Sequence, residues 1–155
     1  MTFLYSQHPA LMQYIEKYIP HIQGSRVFKP ETTSFLANLG EDDEILAVVA
    51  FHDWTEFQVE VSIATDGNKR WLSRKFLDFV YSYAFIHSKK LRMTMITEET
   101  NENAINMHTG LGHVKEGCLR DWFGPGKNAC IYGFTISDWE NSRFILKNRK
   151  NKGIK

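Results

Sequence analysis

Phe57, Val59, Val61 and Ile63 alternate with Gln58, Glu60 and Ser62. This period of two puts one set on each face of a β-strand, so Glu60 and Ser62 share a face. Upstream, TTSFLANL and EILAVVAFHDW are apolar, β-branched or aromatic runs separated by GEDD. That is turn chemistry between antiparallel strands, and a second short turn near Trp54 to Glu56 leads into the alternating segment. The period lengthens in WLSRKFLDFVYSYAFIH, where Leu72, Phe76, Phe79, Val80 and Tyr83 fall at helical spacing and predict a helix against the sheet. LRMTMIT then reads as a short strand.

Near the N-terminus, residues 9–22 carry Leu11, Tyr14, Ile15, Tyr18 and Ile22 at three- and four-residue intervals, with Pro9 suited to a first helical turn and Pro20 a candidate break. In NENAINMHTGLGHVKEG, Ala104, Met107, His108 and Leu111 predict another helix. Asn101 is placed to cap it, and Gly112 suits the left-handed position that ends it. VKEGCLRDWF and NACIYGFTI, flanking GPGK, read as two closing strands. Strands alternate with helices only in the middle of the chain, so the pattern predicts a single α+β domain with a mixed sheet.

At 155 residues, 43% hydrophobic and 24% charged, the chain has material for one buried core and no apolar run long enough to span a bilayer. MTFLYSQHPALMQ lacks the basic and apolar blocks of a secretory signal, which implies a cytoplasmic setting. Cys118 and Cys130 have no metal-like spacing and read as reduced core or strand residues, and no metal is expected. The net charge of +1 argues against a dedicated nucleic-acid binder, but residues 143–155 hold six basic residues and no acidic one. We therefore divide the chain into a domain over 1–142 and a basic tail over 143–155. The tail reads as a solvated end or as an arm for nucleic acid or an acidic partner.

Where IATDGNKRWLSR passes from strand to helix, the first helical N–H groups lack internal partners and the dipole adds partial positive charge. Lys69, Arg70 and Arg74 add full charges at that end, so the junction suits an anion such as a diphosphate, or is simply a solvated helix start. About thirty residues on, Asn101, Ala104, Met107, Leu111 and Gly112 form N-x-x-A-x-x-φ-x-x-x-φ-G, followed by Glu116, Gly117 and Arg120 in E-G-x-x-R. Junction and motif, in that order, resemble the GNAT N-acyltransferases over roughly residues 45 to 140. IYGFTISDWE resembles the final strand of the subgroup acting on protein N-termini and related small amines.

The resemblance implies a mostly antiparallel sheet splayed between two central strands and flanked by helices, with acetyl-coenzyme A in the V. By position, Ile63 and Ala64 would pair with the pantetheine arm. Asn68, Lys69, Arg70, Trp71, Leu72, Ser73 and Arg74 would hold the phosphates, and Asn101 and Met107 would reach the cofactor from the next helix. Residues 1–40 match only as a helical part that shapes the acceptor side. The chain departs from the pattern in three places: Trp71 and Ser73 stand where the phosphate loop has small residues, His108 where a tyrosine often protonates the thiolate, and His113 in place of an aromatic.

Transfer to a primary amine, whether a peptide N-terminus, a lysine or a small amine, needs a base to strip the ammonium and an acid for the departing sulfur. Glu60, on the strand beside the proposed arm, is the candidate base, against the reading of a carboxylate on a solvated sheet face. Glu116 is a weaker candidate for that role. His108, with an ordinary imidazole pKa near 6.5, is the candidate acid, against a buried histidine bonded to a backbone carbonyl. His113 reads as structural or exposed, and His52 and Asp53 as acceptor-side residues that nothing singles out. The rival reading keeps the fold without turnover, as a coenzyme-A-binding or partner-binding protein. Trp122 and Trp139 read first as core strand packing, and as exposed aromatics they would leave a homodimer open.

Overall fold

Alternation along the strands sorts the core into two layers. Val49, Phe51, Val59, Val61, Met93, Met95, Tyr132 and Phe134 share one cluster, while their neighbours Val48, Ala50 and Ala64 belong to another on the opposite side. Burying such side chains stabilises by about 1.5–3 kcal/mol each before entropy is counted, so strand register is dictated from both faces. A computed structural model describes residues 2–5, 9–19, 28–29 and 31–144.

The described elements run β1 (Thr2–Tyr5), α1 (Pro9–Tyr18), β2 (Ser34–Leu39), β3 (Ile45–His52), β4 (Gln58–Ala64), α2 (Arg74–Ser82), β5 (Arg92–Glu98), α3 (Glu102–Leu111), β6 (Val114–Leu119), β7 (Ala129–Thr135) and α4 (Ile136–Glu140). A π-helical turn, Tyr83–His87, follows α2 directly. The strands form one sheet in the order β1-β2-β3-β4-β5-β7-β6. Every pairing is antiparallel except β4 with β5. Parallel neighbours need a crossover, which α2 supplies. Leu11 and Ile15 of α1 cover one face. Residues of α2, α3 and α4, among them Phe76, Leu111 and Trp139, cover the other. This is the mixed α+β architecture expected from the pattern.

Local chemistry explains the helix ends. Ser73 in extended conformation accepts the Phe76 N–H and starts α2, and Asn101 accepts the Ala104 N–H and starts α3. Gly112 at φ 80° ends α3 in the left-handed region. Four expectations need correction. The edge strand β1 falls where only a helical part was anticipated, because four mostly exposed residues show no alternation of their own and are defined by pairing with β2. The helix expected over 71–87 starts at Arg74, since Ser73 caps it and Trp71 is drawn into the core. Phe79, counted on the inward stripe, is 48% exposed and packs against Phe3. The IYGFTISDWE strand stops at Thr135, where a capping box with Asp138 starts α4; Trp139 is core, as its favoured reading had it, but on a helix and not a strand.

Helix α1 ends at Tyr18, and Pro20 and Ile22 lie outside the described residues. Of the basic tail, Arg143 donates to the Gly110 carbonyl at 3.3 Å and Phe144 packs against the main core, while 145–155 lie outside the described residues. Among the described residues, no helix is long and apolar enough to cross a membrane.

Candidate active site

β4 and β5 are register partners only at Gln58–Arg92, Val59–Met93 and Glu60–Thr94. Beyond that point β4 stays paired with β3 as far as Ala64, and β5 stays paired with β7 as far as Glu98. Each strand is thus held on its outer edge while the inner edges diverge. Backbone groups on those inner edges have lost their ladder partner, and a buried group left unmatched costs about 1–3 kcal/mol. Water or a ligand with amide character must meet them.

The opening is a cleft of about 160 Å³ lined by Val61, Ser62 and Ile63 of β4, Met95 to Glu98 along β5, Ala104, Met107 and His108 of α3, Asn101, and Tyr18 and Ile19 at the end of α1. That volume suits a narrow arm and is below the roughly 300 Å³ at which whole-ligand pockets begin. Of the residues singled out in the sequence, Ile63, Asn101, Met107 and His108 meet here. Ser62, which the period of two had placed on the face of Glu60, joins them, and so do Thr97 and Glu98, which no motif marks.

The junction before α2 is arranged differently from expectation. Gly67, Asn68, Arg70, Leu72 and Ser73 all donate their backbone N–H within the loop, to Thr65 Oγ1, Asp66 Oδ1, Asn68 Oδ1, Lys69 O and Trp71 O. Arg70 is paired with Glu44 at 2.9 Å, which holds that exposed carboxyl below its usual range. Trp71 is 2% exposed, stands edge-on to Phe76, and its carbonyl accepts from Asn38 Nδ2. Its side chain is therefore core, and Ala64 is buried on the opposite face. Leu72 packs on the core, and Lys69, Arg74 and Lys75 are exposed cations near the helix start. The exposed Asp66, held below its usual range by hydrogen bonds from Asn68, adds a negative charge to the same loop.

Glu60 sits at the apex, the last β4 residue paired with β5. Across β3 its register partner is His52, and His52, Asp53 and Glu60 bring side-chain ligand atoms within 4.8 Å of one another. Burial, then the negative charge of Asp53, push the Glu60 carboxyl up to about 7. A group that is half ionised near neutrality serves well as a base. The spacing also suits a cation, but Asp53 Oδ2 already lies 2.7 Å from His52 Nδ1, and a metal there would break that pairing.

His108 belongs to a buried chain. Its Nε2 lies 3.1 Å from Thr97 Oγ1 and its Nδ1 2.9 Å from His113 Nδ1, while His113 Nε2 lies 2.9 Å from the Tyr81 hydroxyl. Burial lowers His108 to about 4, and burial with the neighbouring His108 lowers His113 to about 3. The ordinary imidazole pKa assumed for His108 therefore does not hold: at neutral pH both rings are uncharged. Two polarities satisfy the chain, with protons directed from Tyr81 toward Thr97 or the reverse. In neither does His108 hold a spare proton. Glu116, the weaker base candidate, is occupied by Arg92 on the sheet face.

A seven-stranded sheet of this order, open as a V between its two parallel strands, is the fold of the GNAT N-acetyltransferases. Among solved structures it is similar to ribosomal-protein-S5-alanine acetyltransferase from Vibrio fischeri, with TM-score 0.65 and 15% identity, covering 88% of this chain and 93% of that one. It is also similar to spermidine/spermine N-acetyltransferase SpeG from Vibrio cholerae in complex with manganese ions, at 0.69 and 12%, covering 90% and 95%. A chimera of the Vibrio cholerae SpeG and hSSAT aligns at 0.71 and 12%, over 92% and 100%. At such identities the likeness establishes the fold. No family model matches the sequence, and no curated protein matches it significantly.

Proposed function

We propose that the protein transfers an acetyl group from acetyl-coenzyme A to a primary amine. The observation that carries this reading is the unzipping of β4 from β5 after Glu60 and Thr94, which leaves amide-lined edges for a thioester arm. Ile63 would bond the arm through its backbone, and Asn101 and Met107 would bound it from α3. Ala64 would add a backbone contact only. Lys69 and Arg74 would meet the phosphates as point charges, while Asn68, Arg70, Trp71, Leu72 and Ser73 would shape the loop.

Glu60 takes the ammonium proton, and the freed nitrogen attacks the acetyl carbonyl as the carbon–sulfur bond breaks. Backbone N–H groups of the open β4 edge face the oxyanion. With the buried chain polarised from Tyr81 toward Thr97, His108 donates to the Thr97 hydroxyl and that hydroxyl donates to the departing sulfur. The remaining nitrogen proton is lost to solvent, and the sulfur takes one from it. Holding two reactants in one cleft supplies much of the acceleration, at effective concentrations on the order of 10⁵ M or more. The test is purified protein with acetyl-coenzyme A and a panel of peptides, lysine derivatives and small amines, read as thiol release and acceptor mass. Acetylated product lost in Glu60→Gln supports the reading, and no product with any amine removes it.

A second reading, a coenzyme-A-binding or partner-binding protein without turnover, is favoured by the loop before α2, whose amides are spent internally and which carries Asp66. Saturable coenzyme A binding without acetylated product would select it.

A further inference from the structure

Ser62, a cleft-lining residue, has its hydroxyl 2.9 Å from His52 Nε2, and His52 Nδ1 lies 2.7 Å from Asp53 Oδ2. His52 is 1% exposed, whereas the Asp53 side chain is 60% exposed. A carboxylate only accepts hydrogen bonds, so Nδ1 carries the imidazole proton and Nε2 is left to accept from the Ser62 hydroxyl. That tautomer makes the imidazole a base toward serine, the relation of a hydroxyl, imidazole and carboxylate in acyl-transferring triads. Asp53 is held in the left-handed region at φ 48°, which aspartate enters more readily than most residues, with its carbonyl fixed by Gln58 Nε2 at 2.7 Å.

We propose that Ser62, His52 and Asp53 form a nucleophilic triad that accepts acyl groups in the cleft and hydrolyses short-chain esters and thioesters when no amine is bound. Ser62 and His52 act on the reacting atoms, and Asp53 positions the ring. The Ser62 Oγ forms a bond to the acyl carbon while its proton passes to His52 Nε2. The bond from acyl carbon to the leaving oxygen or sulfur breaks, and the leaving group takes that proton. Water then attacks the acyl-serine, releasing the carboxylic acid and restoring the hydroxyl. The open β4 edge, with alternate N–H groups facing the cleft, supplies donors for the oxyanion. The cleft volume of about 160 Å³ favours small acyl groups. The proposal rests on the transferase reading in two points, the entry of acyl groups into the cleft and the open β4 edge as oxyanion donor.

The test uses the full chain without coenzyme A. p-Nitrophenyl acetate hydrolysis is compared between wild type and Ser62→Ala, and wild-type protein treated with diisopropyl fluorophosphate is peptide-mapped. The mapping needs no variant and so is independent of any folding defect. A phosphoryl adduct on Ser62, with hydrolysis at least about 10-fold slower in Ser62→Ala, supports the triad. An unmodified Ser62, or hydrolysis equal in wild type and variant, overturns it. Amine acetylation from acetyl-coenzyme A with Ser62 inert leaves the transferase standing and removes the triad, and Ser62-dependent hydrolysis without any amine acetylation does the reverse.

Discussion

Replacing Glu60 by glutamine separates a chemical role from a structural one, because the amide keeps the shape and removes the charge. Burial and Asp53 raise the Glu60 carboxyl from 4.5 to about 7. The folded state therefore binds the proton more tightly than the unfolded chain. Stability falls as pH rises from 4.5 through 7, and the full cost is present above 7. At about 1.4 kcal/mol for each pH unit this would be on the order of 3 kcal/mol for a fully desolvated group. Glu60 is only part-buried, and solvent screening reduces the figure to about 1–2 kcal/mol. Glu60→Gln should thus be more stable than wild type by that amount at pH 8, raising Tm by roughly 2–8 °C, and indistinguishable from it near pH 4.5. Meanwhile kcat/KM for amine acetylation at pH 8 should drop about 100-fold or more, and the tenfold-per-unit decline below about pH 7 should vanish. Urea midpoints at both pH values and thiol release across pH measure the two effects. A stability difference that does not change with pH, or an acid limb that survives the substitution, would show that Glu60 is an ordinary surface carboxylate.

Trp71→Ala should destabilise by about 3–5 kcal/mol, the cost of emptying a core site; a loss of coenzyme affinity without loss of stability in urea unfolding would return Trp71 to the ligand. Asn101→Asp keeps an N-cap acceptor and should leave stability within about 0.5 kcal/mol while weakening acetyl-coenzyme A binding, whereas Asn101→Ala should also lose about 1 kcal/mol; calorimetric Tm and equilibrium dialysis separate the two. His108 and His113 bind protons less readily folded than unfolded, so they contribute stability above about pH 6.5 that is lost as pH falls toward 4. Glu60 titrates over part of that window with the opposite sign, so the decline should be read in the Glu60→Gln background, where replacing both histidines by glutamine flattens it.

Periodicity along the chain was enough for the class of fold, for β2 through β7 and for both ends of α3, because those signals are local. A period of two, an asparagine three residues before the Ala104 amide and a glycine at φ 80° act within one turn or one strand. The motif around Asn101 led to the cleft for the same reason, and Ile63, Asn101, Met107 and His108 do line it. Folding alone decided the rest. The β1 strand exists through β2, more than thirty residues away in the chain. Trp71 is core because the loop before Ser73 folds on its own amides and turns the indole inward. The His52–Glu60 pairing depends on the register of two strands, and the His108–His113 contact on how a helix end meets the loop after it. Burial then moves Glu60 up and both histidines down. A residue's spacing is written in its neighbours along the chain, but its proton affinity is set by how many solvent contacts distant segments remove, which only the packed molecule contains.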